Sequence, residues 1–270
     1  MAKLKSPEDI AAMRRAGLLA ARTLKHIEPL VKPGVSTEDI NTAVHEFVES
    51  HGGVPATLGY LGYPKSVCTS VNEVICHGIP NAGVVLREGD IINVDVTAIL
   101  DHWFGDTSKT YFVGTNIPQD RLHVTQVAFE SLARALAVVS HGARMGDIGF
   151  AIQEYAEGQG CGVVRDFTGH GIGKVFQDPD VCVPHFGKKG TGMKLVRGLT
   201  FTIEPMINGG TWQHRVLADG WTAVTTDGKP SAQFEHTVAI VGGGIDVLAA
   251  LPDDAIVARA RALGARIAGL

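Results

Sequence analysis

The chain has 270 residues, 45% apolar and 19% charged, with a formal net charge of -4. That is enough apolar material for one sizeable core, and the charge offers no broad attraction to nucleic acid or an anionic membrane. No apolar run approaches the roughly 20 residues that span a bilayer, and the opening MAKLKSPEDI lacks the apolar centre of a secretion signal. Four cysteines, none in a Cys-x-x-Cys pair, are too few for a disulfide framework. Reduced core thiols in a cytoplasmic protein are expected.

The first predicted element is a helix. Ser6 can cap it, Pro7 suits its first turn and Asp9 completes a capping box. Ile10, Met13, Gly17, Ala21, Leu24 and Ile27 then recur at helical spacing. Pro33 and Gly34 end it, and Ser36 with Asp39 starts a second helix whose stripe is Ile40, Ala43, Val44, Phe47 and Val48. Strand-like text follows in SVCTSVNEVICHG, GDIINVDVTAILDHWFG and TSKTYFVG, rich in Val, Ile, Thr and aromatic residues and bounded by Gly, Asn and Asp. A long helix is predicted over about 118–140. After it PGVSTEDINTAVHEFVESHGG (33–53) finds its counterpart in HGARMGDIGFAIQEYAEGQGC (141–161), with Gly34 over Gly142, Asp39 over Asp147 and Gly52 over Gly160. The second half then supplies VCVPHFG, GLTFTIEPMING, GWTAVTT and AQFEHTVAIVG as strands, and residues 251–270 read as a terminal amphipathic helix. The expected architecture is α+β, sheet inside and helices outside, in one domain over 1–270 with pseudo-repeats at about 6–113 and 118–245.

The duplication extends to polar residues. REGDIINVDV places Asp95 six residues after Gly89, and VRGLTFTIEP places Glu204 six after Gly198. CHGIP sets His77 before Gly-Ile, and GHGIG does the same for His170. If the halves pack about a shared axis, these groups converge on one cleft. Asp106 lies eleven residues after Asp95, across the turn signal Leu100-Asp101-His102, so a hairpin would bring the two carboxylates together. Glu235 and Glu204 stand in apolar text, where an unpartnered carboxylate is costly to bury. Each residue taken singly has another explanation: a turn carboxylate for Asp95 or Asp106, a buried salt bridge for Glu204 or Glu235, a backbone-satisfying imidazole for His77 or His170. Four acids and a histidine in matched frames point to bound cations instead.

With these residues assembled, the chain resembles the type I methionine aminopeptidases over about 6–245. The motifs are YPKSVCTSVNEVICHGIP, INVDVTAILDHWFGDTSKT, FTGHGIG, FTIEPMI and SAQFEHTVAI. The resemblance implies the pseudo-two-fold symmetric fold called pita bread, and removal of the first residue from nascent polypeptides. It implies two divalent ions (Co, Mn, Fe, Zn or Ni) held by Asp95, Asp106, His170, Glu204 and Glu235. Such ions activate a water and polarise the scissile carbonyl. Glu204 would then move the proton, and His77 would contact the departing amide. Tyr60, Tyr63, Cys68, Phe176 and Trp221 fall where the family builds its methionine pocket, and Thr57 stands where many relatives have cysteine. Asn72, Val74 and Ser231 match a site for a monovalent cation.

One position departs from the pattern. The family reads HGIG, two residues, then Phe-His, whereas this chain reads HGIGKVFQD and so carries Gln177. An amide still donates a hydrogen bond to a carbonyl oxygen or an oxyanion but carries no titrating proton. The expectation is an active but slower enzyme, or one with an altered pH profile. The alternatives are a prolidase-like metallopeptidase, which usually carries an extra amino-terminal domain, and a non-catalytic binding protein of the same fold, which Gln177 would favour. A monomer in the cytoplasm is expected, with transient ribosome contact and no stable nucleic-acid or membrane partner; no zinc-finger or proline-rich docking module is read at the amino terminus.

Overall fold

A computed structural model describes residues 2–269. The first half runs α1 (Pro7–Ile27), α2 (Thr37–Ser50), β1 (Val54–Pro55), β2 (Cys68–Val71), β3 (Val74–Cys76), β4 (Ile91–Leu100) and β5 (Trp103–Phe112). The second begins with α3 (Gln119–Val138), α4 (Met145–Gly158), β6 (Gly162–Val163), β7 (Gly169–Gly171), β8 (Asp178–Val183), β9 (Thr200–Ile203) and β10 (Met206–Asn208). It closes with β11 (His214–Val216), β12 (Ala223–Thr225), β13 (Ser231–Gln233), β14 (Glu235–Val241), β15 (Gly244–Val247), α5 (Ala255–Ala262) and β16 (Ile267–Ala268).

Both expected capping boxes form. Ser6 Oγ accepts from the Asp9 amide at 3.2 Å while Asp9 accepts from the Ser6 amide, and Ser36 and Asp39 repeat the exchange. These bonds satisfy amide groups that a helix start otherwise leaves open. In α1 the buried stripe includes Ile10, Met13, Gly17, Leu24 and Ile27. Gly17 is there for its missing side chain. A Cβ at Gly105 of β5 would lie 2.2 Å from the Gly17 amide nitrogen, so two glycines let helix and sheet touch backbone to backbone.

The duplication is visible in the backbone. Gly34 donates to the Leu86 carbonyl and Gly142 to the Leu195 carbonyl, both at 2.9 Å. The two glycines have φ of 90° and 94°, a region that favours glycine. The core follows the same division. One buried cluster packs α1 and α2 on β4 and β5 around Ile40, Val44 and Val94; another packs α3, α4 and α5 on β9 and β14 around Leu132, Ile148 and Phe201.

A ten-stranded sheet lies between. Its main path is β1-β4-β5-β14-β9-β7-β8, with β2 on β4, β15 on β14 and β16 on β15. The pairings are antiparallel except β15 with β16. Strand alternation gives the sheet two functional faces. Tyr111 of β5 turns toward the helices, its hydroxyl donating to the Leu24 carbonyl of α1 at 2.8 Å. Asp106 and Ser108 therefore face the other way. On the helix side, a cavity of about 830 Å³ opens between α1 and α3 over Thr107, Lys109 and His236, and none of the five candidate ligands lines it.

Three expectations change. The terminal helix of 251–270 is only Ala255–Ala262: Gly264 takes φ 100°, and Ile267–Ala268 then adds a parallel edge to β15. The left-handed Gly264 stops the helix, and edge pairing with β15 then satisfies backbone groups that an unwound end would leave open. Glu204 is not inside a strand; it sits in the break before Pro205, where the chain passes from β9 to β10. Cys182 is exposed, whereas Cys68, Cys76 and Cys161 are buried as expected, and all four are free thiols. On β8 the side chains at 179, 180 and 182 face outward, so Cys182 follows its strand rather than its hydropathy.

Candidate metal centre and active-site cleft

Four strands and the residue just past the end of β9 bring the five candidate ligands to the face away from the helices. Asp95 of β4 and Glu235 of β14 both lie opposite Ser108 of β5. Asp106, two residues before Ser108, shares its face. The pairing of His236 with Ile203, continued by one residue, sets Glu204 level with Glu235. On β7 the His170 amide donates to Thr202 Oγ1 of β9 at 3.0 Å. The β4–β5 hairpin that joins the aspartates turns through Asp101 and His102, both at positive φ (51° and 66°), which matches the twist of a tight hairpin.

Asp106, His170 and Glu235 each offer a ligand atom within 4.8 Å of the other two. His170 Nε2 lies 3.5 Å from Asp106 Oδ2 and 3.8 Å from Glu204 Oε1. Its Nδ1 donates to the Gly171 carbonyl at 3.1 Å, so Nε2, aimed at the acids, donates toward Asp106 when the ring is protonated and offers a lone pair to a cation when it is neutral. Asp95 and Glu204 fall outside that tightest group but belong to the same electrostatic cluster.

The charges show what the cluster lacks. Removal from water and the neighbouring carboxylates Asp106 and Glu204 push Asp95 well above the usual carboxylate range. Burial and the charges of Asp106, Glu204 and Asp95 do the same to Glu235. Burial lifts Glu204 to about 7, partly offset by His170. Burial alone would lower His170, but its hydrogen bond to Asp106 and the charges of Glu204 and Asp106 raise it to about 8. Among the described residues, Glu235 Oε1 is a buried oxygen with no hydrogen-bond partner. Carboxylates crowded in this way cannot all ionise without a cation. The donor set, oxygens plus one imidazole, fits a hard or borderline divalent ion.

Several supporting residues carry no motif and were missed. Thr97 Oγ1 donates to Asp106 Oδ1, and Thr202 Oγ1 to Glu204 Oε1, each at 2.8 Å. Gln233 Nε2 reaches Glu204 Oε2 at 3.5 Å. The available signal was spacing: Thr97 lies two residues after Asp95 and Thr202 two before Glu204, so each shares a strand face with an acid. Phe104 and Phe167 were missed as well. The Phe104 ring lies 5.7 Å from that of Phe176, and Phe167 meets His77 edge-on at 5.5 Å.

The remaining predicted residues gather beside the acids. Tyr63, 3% exposed, has its hydroxyl 2.9 Å from the Gly78 carbonyl, and its ring meets Trp221 at 5.2 Å. Cys68 is buried directly across β4 from Asp95, and burial raises its thiol. His77, at φ 56°, lies 6.1 Å from Trp221, and burial lowers its pKa so that the neutral ring prevails. Across the opening, Tyr60 and Phe176 contact at 4.6 Å, and the Tyr60 hydroxyl lies 3.4 Å from Gln177 Oε1. Thr57 is buried and donates to the Lys65 carbonyl at 3.1 Å. Asn72, at φ 52°, accepts from the Ser231 amide at 2.8 Å through its carbonyl, and Val74 pairs with Val224.

A curled antiparallel sheet, doubled helices and a cluster of acids with one histidine define a metal-dependent hydrolase of the pita-bread fold, and the chain belongs to metallopeptidase family M24, whose model matches residues 11–241. Within that family its relatives are methionine aminopeptidases. Methionine aminopeptidase A of Synechocystis sp. is 52% identical over 245 residues, 91% of this chain and 96% of its own. The methionine aminopeptidase of Escherichia coli K12 is 48% identical over 94% and 96% of the two chains. The crystal structure of the Rickettsia prowazekii methionine aminopeptidase superposes with a TM-score of 0.90 at 47% identity, covering 93% of this chain and all of that one. Prolidase from Pyrococcus furiosus shares the fold at a TM-score of 0.74 and 17% identity, but this chain covers only 65% of it. Among the described residues no helix is long and apolar enough to cross a membrane.

Proposed function

We infer that this chain removes the amino-terminal methionine of polypeptides by hydrolysing the first peptide bond. The observation that carries it is the convergence of Asp95, Asp106, His170, Glu204 and Glu235 on one sheet face, beside an aromatic pocket, in a chain about half identical to methionine aminopeptidases. Two divalent ions would suit the site, and Asp95, Asp106, His170, Glu204 and Glu235 would hold them. When bound, such ions supply Lewis acidity to the scissile carbonyl and lower the pKa of water.

The protein's own groups do the rest. Glu204, its Oε1 held by the Thr202 hydroxyl, would accept the proton of the attacking water and return it to the leaving amine. His77, neutral and fixed beside Phe167 and Trp221, is placed to hydrogen-bond the amide nitrogen as it departs. The Tyr60 hydroxyl donates to the amide oxygen of Gln177, which leaves the Gln177 NH₂ free to donate to the carbonyl oxygen as it gains charge. Tyr60, Tyr63, Cys68, Phe176 and Trp221 offer ring faces and a small soft thiol to a flexible thioether. Asn72, Val74 and Ser231 would present backbone oxygens to a monovalent cation.

We read the chain as one catalytic domain built from two repeats, acting on nascent chains in the cytoplasm, where fresh amino termini emerge, with transient contact at the ribosome. The test is hydrolysis of Met-Ala-Ser with Co, Mn, Fe, Zn or Ni, before and after chelation, alongside the same peptide with its amine acetylated. Metal-dependent release of free methionine from the open peptide alone is expected. Equal cleavage of both peptides, or turnover indifferent to chelation, would remove the proposal.

A further inference from the structure

The mouth of the cleft carries apolar side chains that the chemistry does not use. Leu61 and Val175 are 79% and 53% exposed. Leu61 lies in the short turn Tyr60–Gly62, and Val175 in a turn where the Gly173 amide donates to the Val175 carbonyl at 3.1 Å. These two segments, one from each half, meet through the Tyr60 and Phe176 rings and through Tyr60 and Gln177. Leu61 follows one touching ring and Val175 precedes the other, so both belong to a single rim.

Leu61 is also held at φ 48°, ψ 26°, between Gly59 and Gly62 at φ 82° and 88°. A leucine takes that left-handed conformation at a cost and gains almost no burial from it. The neighbouring cation is already engaged, because Lys174 Nζ stacks over the Trp103 ring at 4.9 Å. The rim is therefore apolar and open beside a cleft that holds only the first residue of its substrate. The Phe176 ring also lies 5.8 Å from that of His170, so the rim borders the acid cluster, and an extended peptide leaving the cleft on this side, at about 3.3 Å per residue, would carry its later residues across it.

We propose that Leu61 and Val175 form an apolar lip that grips the substrate beyond its second residue and favours apolar side chains there. The proposal rests on the reading of the cleft as a methionine aminopeptidase, and its test separates the two. Wild-type protein is expected to hydrolyse Met-Ala-Leu-Leu about tenfold more efficiently in kcat/KM than Met-Ala-Ser-Ser, with the gain in KM. The Leu61→Ser/Val175→Ser double variant should lose that preference and hydrolyse Met-Ala-Ser-Ser as before. Equal use of both peptides by the wild type, or a preference that survives in the double variant, overturns the lip. Calorimetric binding of the same peptides to chelated protein reads the preference without turnover. If the Leu-Leu peptide binds tighter there, only in the wild type, while neither peptide is cleaved in the metal-loaded protein, the lip stands and the hydrolytic reading falls.

Discussion

Thr97 shows how much of the site rests on residues without a signature. Its hydroxyl occupies one oxygen of Asp106 at 2.8 Å, fixing the carboxylate that lies closest to His170. Supporting partners of this kind typically contribute 10- to 100-fold to metal affinity. Thr97→Val, which keeps the shape and removes the hydroxyl, should weaken divalent-ion binding by about that factor in a competition titration with a coloured chelator. Gln177 is the opposite case, a residue visible in sequence as a departure from its family. Loss of one donor to a developing oxyanion costs on the order of 10²-fold in kcat, so Gln177→Ala should fall by about that much. Gln177→His should instead raise turnover and add a titration to the pH–rate profile between pH 5 and 9. A profile identical to wild type would show that position 177 makes no contact with the reacting carbonyl.

At the level of elements, the closest fit in the fold is α1 against β5. Gly105→Ala would drive a methyl group into the Gly17 backbone, and there is no flexible side chain to move aside. A loss of about 1–3 kcal/mol, the usual range for overpacking, is expected in urea unfolding. The start of α5 carries a charge-dependent contribution. Asp254 accepts from the Ile256 and Val257 amides and lies 3.3 Å from His236 Nε2. Burial alone would raise its pKa, but His236 and the two amides bring it down to about 2. A folded pKa below the unfolded value means stability that is complete above about pH 4 and disappears as pH falls through about 2. Asp254→Asn should therefore be less stable at pH 7 by about 2 kcal/mol, and thermal unfolding should show the two proteins converging near pH 2.

For the whole molecule, the site and the protons it holds cannot be separated. His170 at about 8 and Glu204 at about 7 keep protons that a divalent ion must displace. Ion affinity should climb from pH 6 to pH 8. Calorimetry in buffers of different ionisation enthalpy should register proton release at pH 6.5 that shrinks at pH 8.5. Loading with metal should also raise the thermal midpoint, because the ligands come from segments in both halves of the chain and meet only in the folded state.

Local chemistry made several features legible in the chain alone. The capping boxes at Ser6 and Ser36 and the turn at Asp101-His102 were readable because each depends on residues within a few positions, and the repeated glycines and the matched frames of Asp95 and Glu204 because both halves carry the same local spacing. The extent of α5 was not, because β16 wins its backbone groups through pairing with β15, a partner distant in sequence. The place of Glu204 was not, because the break at Pro205 separates two sheets that are defined only once the chain has folded. Thr97, Thr202 and the Tyr60–Gln177 contact are likewise tertiary facts, the last joining residues 117 positions apart. Sequence by itself determined which groups repeat and which elements form. The packing of α1 through Gly17 and the pairing of β5 with β14 decided which of those groups share a face, since hydrogen-bond register, not spacing along the chain, sets the distance between carboxylates.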